Sequence, residues 1–571
     1  MKRSLRANRV LPAGAVVFGV VLAWAGRFDM NEDGISYLDI ADAYLRADWT
    51  TAFSPIWSPL YSWLLALSLS ILRPKPHWEL AVVQLTNLLI YIGAVAALAF
   101  CMRQLIRDHR KSFSVESSGE YTGLPQWALL AVGYGFFIYA AGNLIGISYV
   151  APHMTVAALM YLATGLLLRI GLRAGTDPAG FFLLGIVLGL AYLARAQMLV
   201  LVVVLLGFAV LSRWGVARRK GFRWGPLVAS AVFFAVASVY AAPLFMLRGA
   251  PAFGMLAKFN YATSVNRVPE MHWQGQPPRS GVPRHPTRRL FTRPEMYEFD
   301  GPVKGTYPPW SDPSYWYEGV TPRIRLKDHA VVLLTSVRFG SWIPGFGVWV
   351  LTLCYVWYRG SLSKSYPSRR MVVLALVVVA LAMYLPVLRH PGRYIGPFLP
   401  LLWVDLLASV RVRVRERAMA VGLLIAVVVS LIFAAPATAL TNVYSAVEDV
   451  VRRKGPFESH MQWQVADGLR RLGVREGAKV AVVGGASYAY WARLARVTIV
   501  AEVPPRAVGD FWTSTEQVRQ VIAQRLSELS VEAIVFSPLP SQRHAAAPRV
   551  LSTEGWHRVG TTDYHVLVLS K

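Results

Sequence analysis

Long uninterrupted runs of apolar positions, separated by short basic stretches, fill the first 440 residues of the chain. A membrane span needs about 20 mainly apolar residues to cross a ~30 Å hydrocarbon core, so each run can be judged by its length and flanks. The runs that meet or approach this length extend from Val10 to Phe28, Trp78 to Met102, Gln126 to Ile147, His153 to Leu172, Gly180 to Ala194, Gln197 to Leu211, Trp224 to Leu247, Phe339 to Tyr358, Met371 to Leu388, Tyr394 to Val410 and Ala418 to Leu440. They predict about eleven transmembrane helices. Pro59 to Leu72 is shorter and reads as a juxtamembrane helix at the outer interface.

After Lys454 the pattern changes. Val480 to Val483, Thr498 to Ala501, Ala533 to Phe536 and His565 to Leu569 read as strands, and Ser459 to Leu472, Tyr488 to Leu494 and Thr515 to Leu529 as helices. The expected fold is therefore mainly α, a polytopic membrane domain over residues 1–440, with a small C-terminal α/β domain over residues 441–571.

Composition agrees with this division. The chain has 571 residues, 55% of them hydrophobic and only 16% charged, and a mean hydropathy of +0.40. These values exclude an ordinary soluble protein, a disordered chain and a fibrous repeat. The net charge of +27, from 59 Lys and Arg against 32 Asp and Glu, could suggest nucleic acid, but the basic residues sit between the apolar runs and so mark topology. If Pro59 to Leu72 does not cross, the N-terminus and the clusters at Arg103/Arg107, Arg169/Arg173, Arg218/Arg219, Arg369/Arg370 and Arg411/Arg413 share one face. The expectation is a multi-pass protein of the cytoplasmic membrane with its N-terminus inside, an uncleaved signal anchor, a C-terminal domain outside and no nucleic-acid partner. Cys101 and Cys354 both fall in apolar runs, which leaves no disulfide framework and no cysteine-ligated zinc site.

This topology places residues 28–77, 248–338 and 441–571 outside, where chemistry is to be sought. In the first of these, Ile35, Leu38, Ala41 and Leu45 form an apolar helical stripe, with Asp39 and Asp42 expected on its solvated side and Asp33 as the N-cap. Glu32 and Asp33 lie within a few residues of a bilayer exit, within reach of a lipid headgroup. Arg195, between two apolar helices, and Arg393, with Arg389, His390 and Tyr394, supply phosphate-binding groups at the outer surface, and His153 opens a span. The outer loop is rich in proline and aromatics; its Trp310, Tyr315 and Trp316, with Tyr37 and Trp57 of the first loop, are candidate sugar or acceptor contacts. Gly484-Gly485 after a strand lacks the spaced glycines of a nucleotide site.

Three motifs in order carry a family resemblance: Glu32-Asp33-Gly34-Ile35-Ser36-Tyr37 after the first span, then Ala47-Asp48-Trp49, then Trp57-Ser58-Pro59-Leu60-Tyr61. They resemble the first-loop acidic motif, the Gly-Asp-Trp and the Pro-Pro-Leu-Tyr of the GT-C superfamily of polyprenyl-phosphate-sugar-dependent glycosyltransferases, in the branch that includes protein O-mannosyltransferases, the aminoarabinose transferase of lipid A and rhizobial lipopolysaccharide transferases. The likeness extends from the N-terminus to about Leu440, and Arg393-Tyr394 resembles the family's Arg-Tyr motif. Pro152-His153 departs from the Pro-Asp that relatives often carry, which puts a second carboxylate or a divalent metal there in doubt.

The resemblance implies an inverting hexosyl- or pentosyltransferase that moves a sugar from a polyprenyl-phosphate donor to the hydroxyl of an envelope glycan, lipid or protein. Asp33, with Glu32, would serve as base, and Arg195 and Arg393 as phosphate clamps. No cofactor is implied beyond an optional divalent metal. The other reading is a non-catalytic transporter or binder of lipid-linked saccharides, for which ionisable residues near mid-span would be expected.

Overall fold

Apolar length decides the helices, and proline and arginine decide where they break. The computed structural model describes residues 2–113, 121–173, 177–211, 224–249, 255–276, 280–340, 371–434, 460–538 and 555–569, with short pieces at 355, 358, 361–362, 443–444, 447–448 and 451. Six described helices are long and apolar enough to cross a membrane: Ala7–Ala25, Pro76–Asp108, Gln126–Ile145, His153–Leu172, Gly225–Arg248 and Val414–Ala434. Pro59–Leu72, Pro178–Ala194, Ala196–Val210 and Met371–Tyr384 are shorter apolar helices. Most of the run Phe339 to Tyr358 lies outside the described residues.

The expected span Tyr394 to Val410 is broken. A turn at Gly392–Ile395 and a 3-10 segment at Gly396–Phe398 precede an 11-residue helix, Leu399–Ser409. Pro397 and Pro400 withhold the N–H groups that would continue a single helix backwards.

The C-terminal strands form where the short apolar runs placed them, at Lys479–Gly484, Thr498–Val503, Val531–Ser537 and His565–Val568. The first is central and parallel to the second and third. The sheet, however, has seven strands. A hairpin of Arg288–Thr292 and Glu295–Glu298, from the 248–338 segment, pairs antiparallel with Thr498–Val503, Tyr297 opposite Glu502 and Glu298 opposite Ala501. The 248–338 segment and the C-terminal region thus share one sheet across the division read from composition. Gly484 sits in it at φ +118°, where a Cβ would meet the Ser537 carbonyl oxygen at 2.1 Å. The glycine serves strand approach rather than nucleotide binding. Gly484→Ala is expected to cost about 1–3 kcal/mol, read as a lowered thermal midpoint.

A buried ion network fastens this sheet to the helices. Arg493 is almost wholly enclosed, and its guanidinium reaches Glu79 Oε1 and Oε2, Asp39 Oδ1 and Asp42 Oδ2, each within 2.9 Å. Asp39 also accepts from the Thr306 amide at 2.7 Å and hydroxyl at 2.9 Å. This corrects the expectation for Glu32–Leu45: Asp39 is buried, and the helix buries all of residues 34–41 while Leu45 of its predicted stripe is exposed. The charge pattern was read against water, whereas the opposing surface is the C-terminal domain.

Candidate active site

The acidic turn is fixed by backbone pairing. Asn31, and not Asp33, stands at the N-cap of Glu32–Leu45. Its side chain makes no cap bond and instead clasps the Val150 peptide, accepting from the amide at 2.8 Å and donating to the carbonyl at 3.4 Å. Gly34 lies against Val150 so closely that a Cβ would approach the Val150 Cβ to 2.6 Å. Asp33, in the first helical turn, is thereby held beside the Tyr149 to His153 segment. Gln84 donates to the carbonyls of Asp29 and Ser148 and holds both segments from the next helix.

Arg393 closes the site from the other side. Its Nη1 lies 3.6 Å from Asp33 Oδ2 and donates to the Tyr149 hydroxyl. Arg195 occupies an extended residue, φ −161°, between Pro178–Ala194 and the following 3-10 turn. The break exposes the Ala196 amide, which Ser58 Oγ accepts at 3.0 Å; this gives Ser58 of the proline motif a local purpose. The Tyr394 ring joins the two arginines, with the Arg195 and Arg393 guanidinium carbons 4.2 Å and 5.2 Å from its centroid.

Arg195 Nη1 is 2.8 Å from His153 Nδ1. Arginine only donates, so Nδ1 accepts and the imidazole proton sits on Nε2. That Nε2, and Arg195 Nε, are buried with no hydrogen-bond partner. Arg195 is 8% exposed and makes no ion pair among the described residues.

Beside this cluster lies a cavity of about 520 Å3, lined among others by Arg389, His390, Arg393, Tyr394 and Glu270. Its size suits a small ligand, for which cavities of roughly 300–1,000 Å3 are usual. Burial pushes the Glu32 carboxyl up to about 7, with the neighbouring Asp33 and Glu270 charges acting in the same direction and a hydrogen bond from Ser487 and the Arg393 charge opposing it. Burial and Asp33 likewise raise Glu270. The native state therefore holds a proton on Glu32 that the unfolded chain has lost, and this contribution to stability is full below about 4.5 and lost as pH rises through about 7. Glu32→Gln is expected to gain stability over wild type as pH is raised across this window and to show no such gain near its acid end, measured by thermal unfolding at each pH.

The structure thus brings together Glu32, Asp33, His153, Arg195, Arg393 and Tyr394, with Arg389 and His390 at the cavity. Of the aromatic candidates, Tyr37 stays beside the site and the other four lie away from the cavity. Tyr37 meets Trp57 and Tyr61 edge to face, each at 5.2 Å, with its hydroxyl in electrostatic reach of Arg195 and Asp33. Trp57 donates to the Ser311 carbonyl at 2.8 Å and packs on Trp310, Trp316 donates to the Pro308 carbonyl, and Tyr315 stacks on His285 at 4.3 Å. None of Trp57, Trp310, Tyr315 or Trp316 lines the cavity; these rings make packing and hydrogen-bond contacts instead. Composition flags aromatic residues without telling a packed ring from an open one.

Glu270, Tyr149 and Ser487 enter the site without having been singled out from the sequence. Only the glycine-rich turn preceding Ser487 offered a signal. Among the described residues no group of three or more His, Cys, Asp or Glu side chains is arranged to hold a metal ion, and His153 Nδ1 is engaged by Arg195.

No family model matches the chain, and no curated protein matches it. Among solved structures, the chain is similar to the apo oligosaccharyltransferase of Archaeoglobus fulgidus, with 15% identity, 92% of this chain and 69% of that one covered, and a TM-score of 0.49. It is also similar to ArnT from Cupriavidus metallidurans bound to undecaprenyl phosphate, with 12% identity, 98% of each chain covered and a TM-score of 0.49. A third is the Archaeoglobus fulgidus oligosaccharyltransferase AglB in complex with an inhibitory peptide and a dolichol-phosphate, with 13% identity, 93% and 69% covered and a TM-score of 0.46. All three scores fall below 0.5, and the chemistry is therefore read from the side chains themselves.

Proposed function

We propose that this protein is an inverting glycosyltransferase that moves a sugar from a polyprenyl-phosphate donor to an acceptor hydroxyl at the outer face of the cytoplasmic membrane. The observation that carries the reading is Arg195: a buried guanidinium without a carboxylate partner among the described residues, beside a second arginine and an unpartnered imidazole N–H. A buried charge left in this state is costly unless an anion completes it. A phosphate suits the fork of N–H donors, and its prenyl chain would lie among the apolar helices.

In the reaction the acceptor oxygen attacks the anomeric carbon as its proton passes to Asp33. The bond from that carbon to the phosphate oxygen breaks, and the electron pair leaves with the phosphate. A single displacement inverts the anomeric centre. The donor phosphodiester carries one negative charge and the departing monoester two, so Arg195, Arg393 and His153 Nε2–H act most strongly on the state in which that charge develops.

The decisive experiment is transfer from a synthetic polyprenyl-phosphate sugar by the full chain in nanodiscs. Turnover supports the proposal, whereas tight binding without turnover for any carrier sugar would return the protein to the binder reading. Arg195→Lys keeps the charge but loses the fork, and is expected to weaken undecaprenyl phosphate binding by about 10- to 100-fold, measured by quenching or scintillation proximity.

A further inference from the structure

The cavity carries more positive charge than the proposed chemistry uses. Three guanidiniums, of Arg267, Arg389 and Arg393, line its roughly 520 Å3 against a single carboxylate, that of Glu270. Arg393 pairs with Asp33 at 3.6 Å, whereas Arg267 and Arg389 make no ion pair among the described residues. Arg195 and His153, which the donor phosphate would meet, do not line this cavity. One phosphate therefore does not account for all of these cations.

Arg267 is held where arginine is a poor backbone choice. It follows the Met255–Ser264 helix at φ +57°, in the left-handed region that glycine adopts freely and other residues enter at a cost. The turn is built around it: the Val268 amide closes back on the Ala262 carbonyl at 3.0 Å, and the buried Asn266 accepts from the Arg323 amide and donates to the Arg323 carbonyl, each at 2.8 Å. Glycine would serve this turn without strain, so the guanidinium is what the position gains, and such strain concentrates at functional sites. Arg389 follows Leu388, which is buried and whose carbonyl accepts from Ser336 Oγ. Two guanidiniums without carboxylate partners thus stand on fixed turns around one cavity.

The rest of the lining narrows the kind of anion. Val268 and Leu388 are the only aliphatic side chains among the lining residues, and Asn260 and Ser264 add groups that both donate and accept hydrogen bonds. An acyl or prenyl chain has little apolar wall to lie on there, whereas a hydroxyl-rich molecule finds partners. Resting on the transferase reading, we propose that this cavity is an anion subsite and that the saccharide seated in it, acceptor or transferred sugar, bears a carboxylate or phosphate of its own, held by Arg267 and Arg389. The fork of guanidinium donors suits either group.

The test measures binding of the full chain, in phosphatidylcholine nanodiscs, to oligosaccharides bearing a uronic acid or a phosphate monoester and to the same oligosaccharides with the acid reduced or the phosphate removed. Wild type is expected to bind at least one acidic member about tenfold more tightly than its neutral counterpart, a preference that rising salt weakens, and Arg267→Gly and Arg389→Gln are each expected to remove most of that preference. Because φ +57° favours glycine, Arg267→Gly should keep or raise the thermal midpoint, which separates lost binding from lost folding. Equal binding of acidic and neutral members by wild type, or a preference that survives both substitutions together, overturns the proposal. Arg267-dependent binding of phosphatidylglycerol without the acidic saccharide also overturns it and gives the site to a lipid headgroup. Transfer reactions with the acid on the acceptor alone or on the carrier sugar alone tell the two sources apart, and turnover that gains from the acid in neither arm counts against the subsite. Undecaprenyl phosphate binding, measured on the same samples, reports the donor reading separately: its loss in wild type counts against the transferase, whereas its retention without the acid preference counts against the anion subsite alone.

Discussion

Asp33→Asn is expected to lower transfer about 10²- to 10⁴-fold while undecaprenyl phosphate binds at least as well as to wild type. Asparagine preserves the shape of the residue and the helix start, which depends on Asn31 and Gly34 rather than on Asp33. It removes the proton acceptor. It also removes the carboxylate 3.6 Å from Arg393 Nη1, leaving that guanidinium freer to meet a phosphate. Loss of turnover with retained or tightened donor binding is a combination that general destabilisation does not give. Single-turnover transfer and equilibrium binding on one preparation measure both, and undiminished turnover removes Asp33 from the mechanism.

Arg493→Met is expected to destabilise the protein by about 3–5 kcal/mol, because it strands carboxylates that are already out of water. Arg493, Asp39 and Glu79 side chains are 3%, 9% and 5% exposed. Arg496 also pairs with Asp42 at 3.5 Å and Glu79 at 3.9 Å, but it is partly exposed, and the Asp39 pairing in the network comes from Arg493. Adding Glu79→Gln to Arg493→Met should recover part of the loss, since it removes one stranded charge, and the coupling energy from the double-mutant cycle measures the pair. Thermal unfolding and protease release of the C-terminal domain are the readouts; an unchanged midpoint would show that the network is not what docks the sheet.

Much of this was legible from the chain. Length and hydropathy located the helices, since a span is a local property of about 20 residues, and short β-branched apolar runs located the four C-terminal strands. Arg195 and Arg393 were legible because a charge at the edge of an apolar run needs a reason. The hairpin at Arg288–Thr292 and Glu295–Glu298 was not: its strands are short and polar on one side, and they exist because Thr498–Val503 offers an edge more than 200 residues away in sequence. Asp39 was misjudged for the same reason. Helical periodicity says which residues share a face, but nothing about what that face meets.

The sequence by itself determined which segments are apolar enough to leave water and which few charges stand at their ends. Only the tertiary structure decided that Asp33, Arg393, Tyr394, Arg195 and His153 converge, that the aromatics of the 248–338 segment are packing, and that Ser487 belongs beside the acidic turn. Burial follows from local composition, whereas the partner of a buried charge is chosen by segments hundreds of residues apart. The Arg493 network, which joins residues 39, 42, 79 and 493, is where that choice is made.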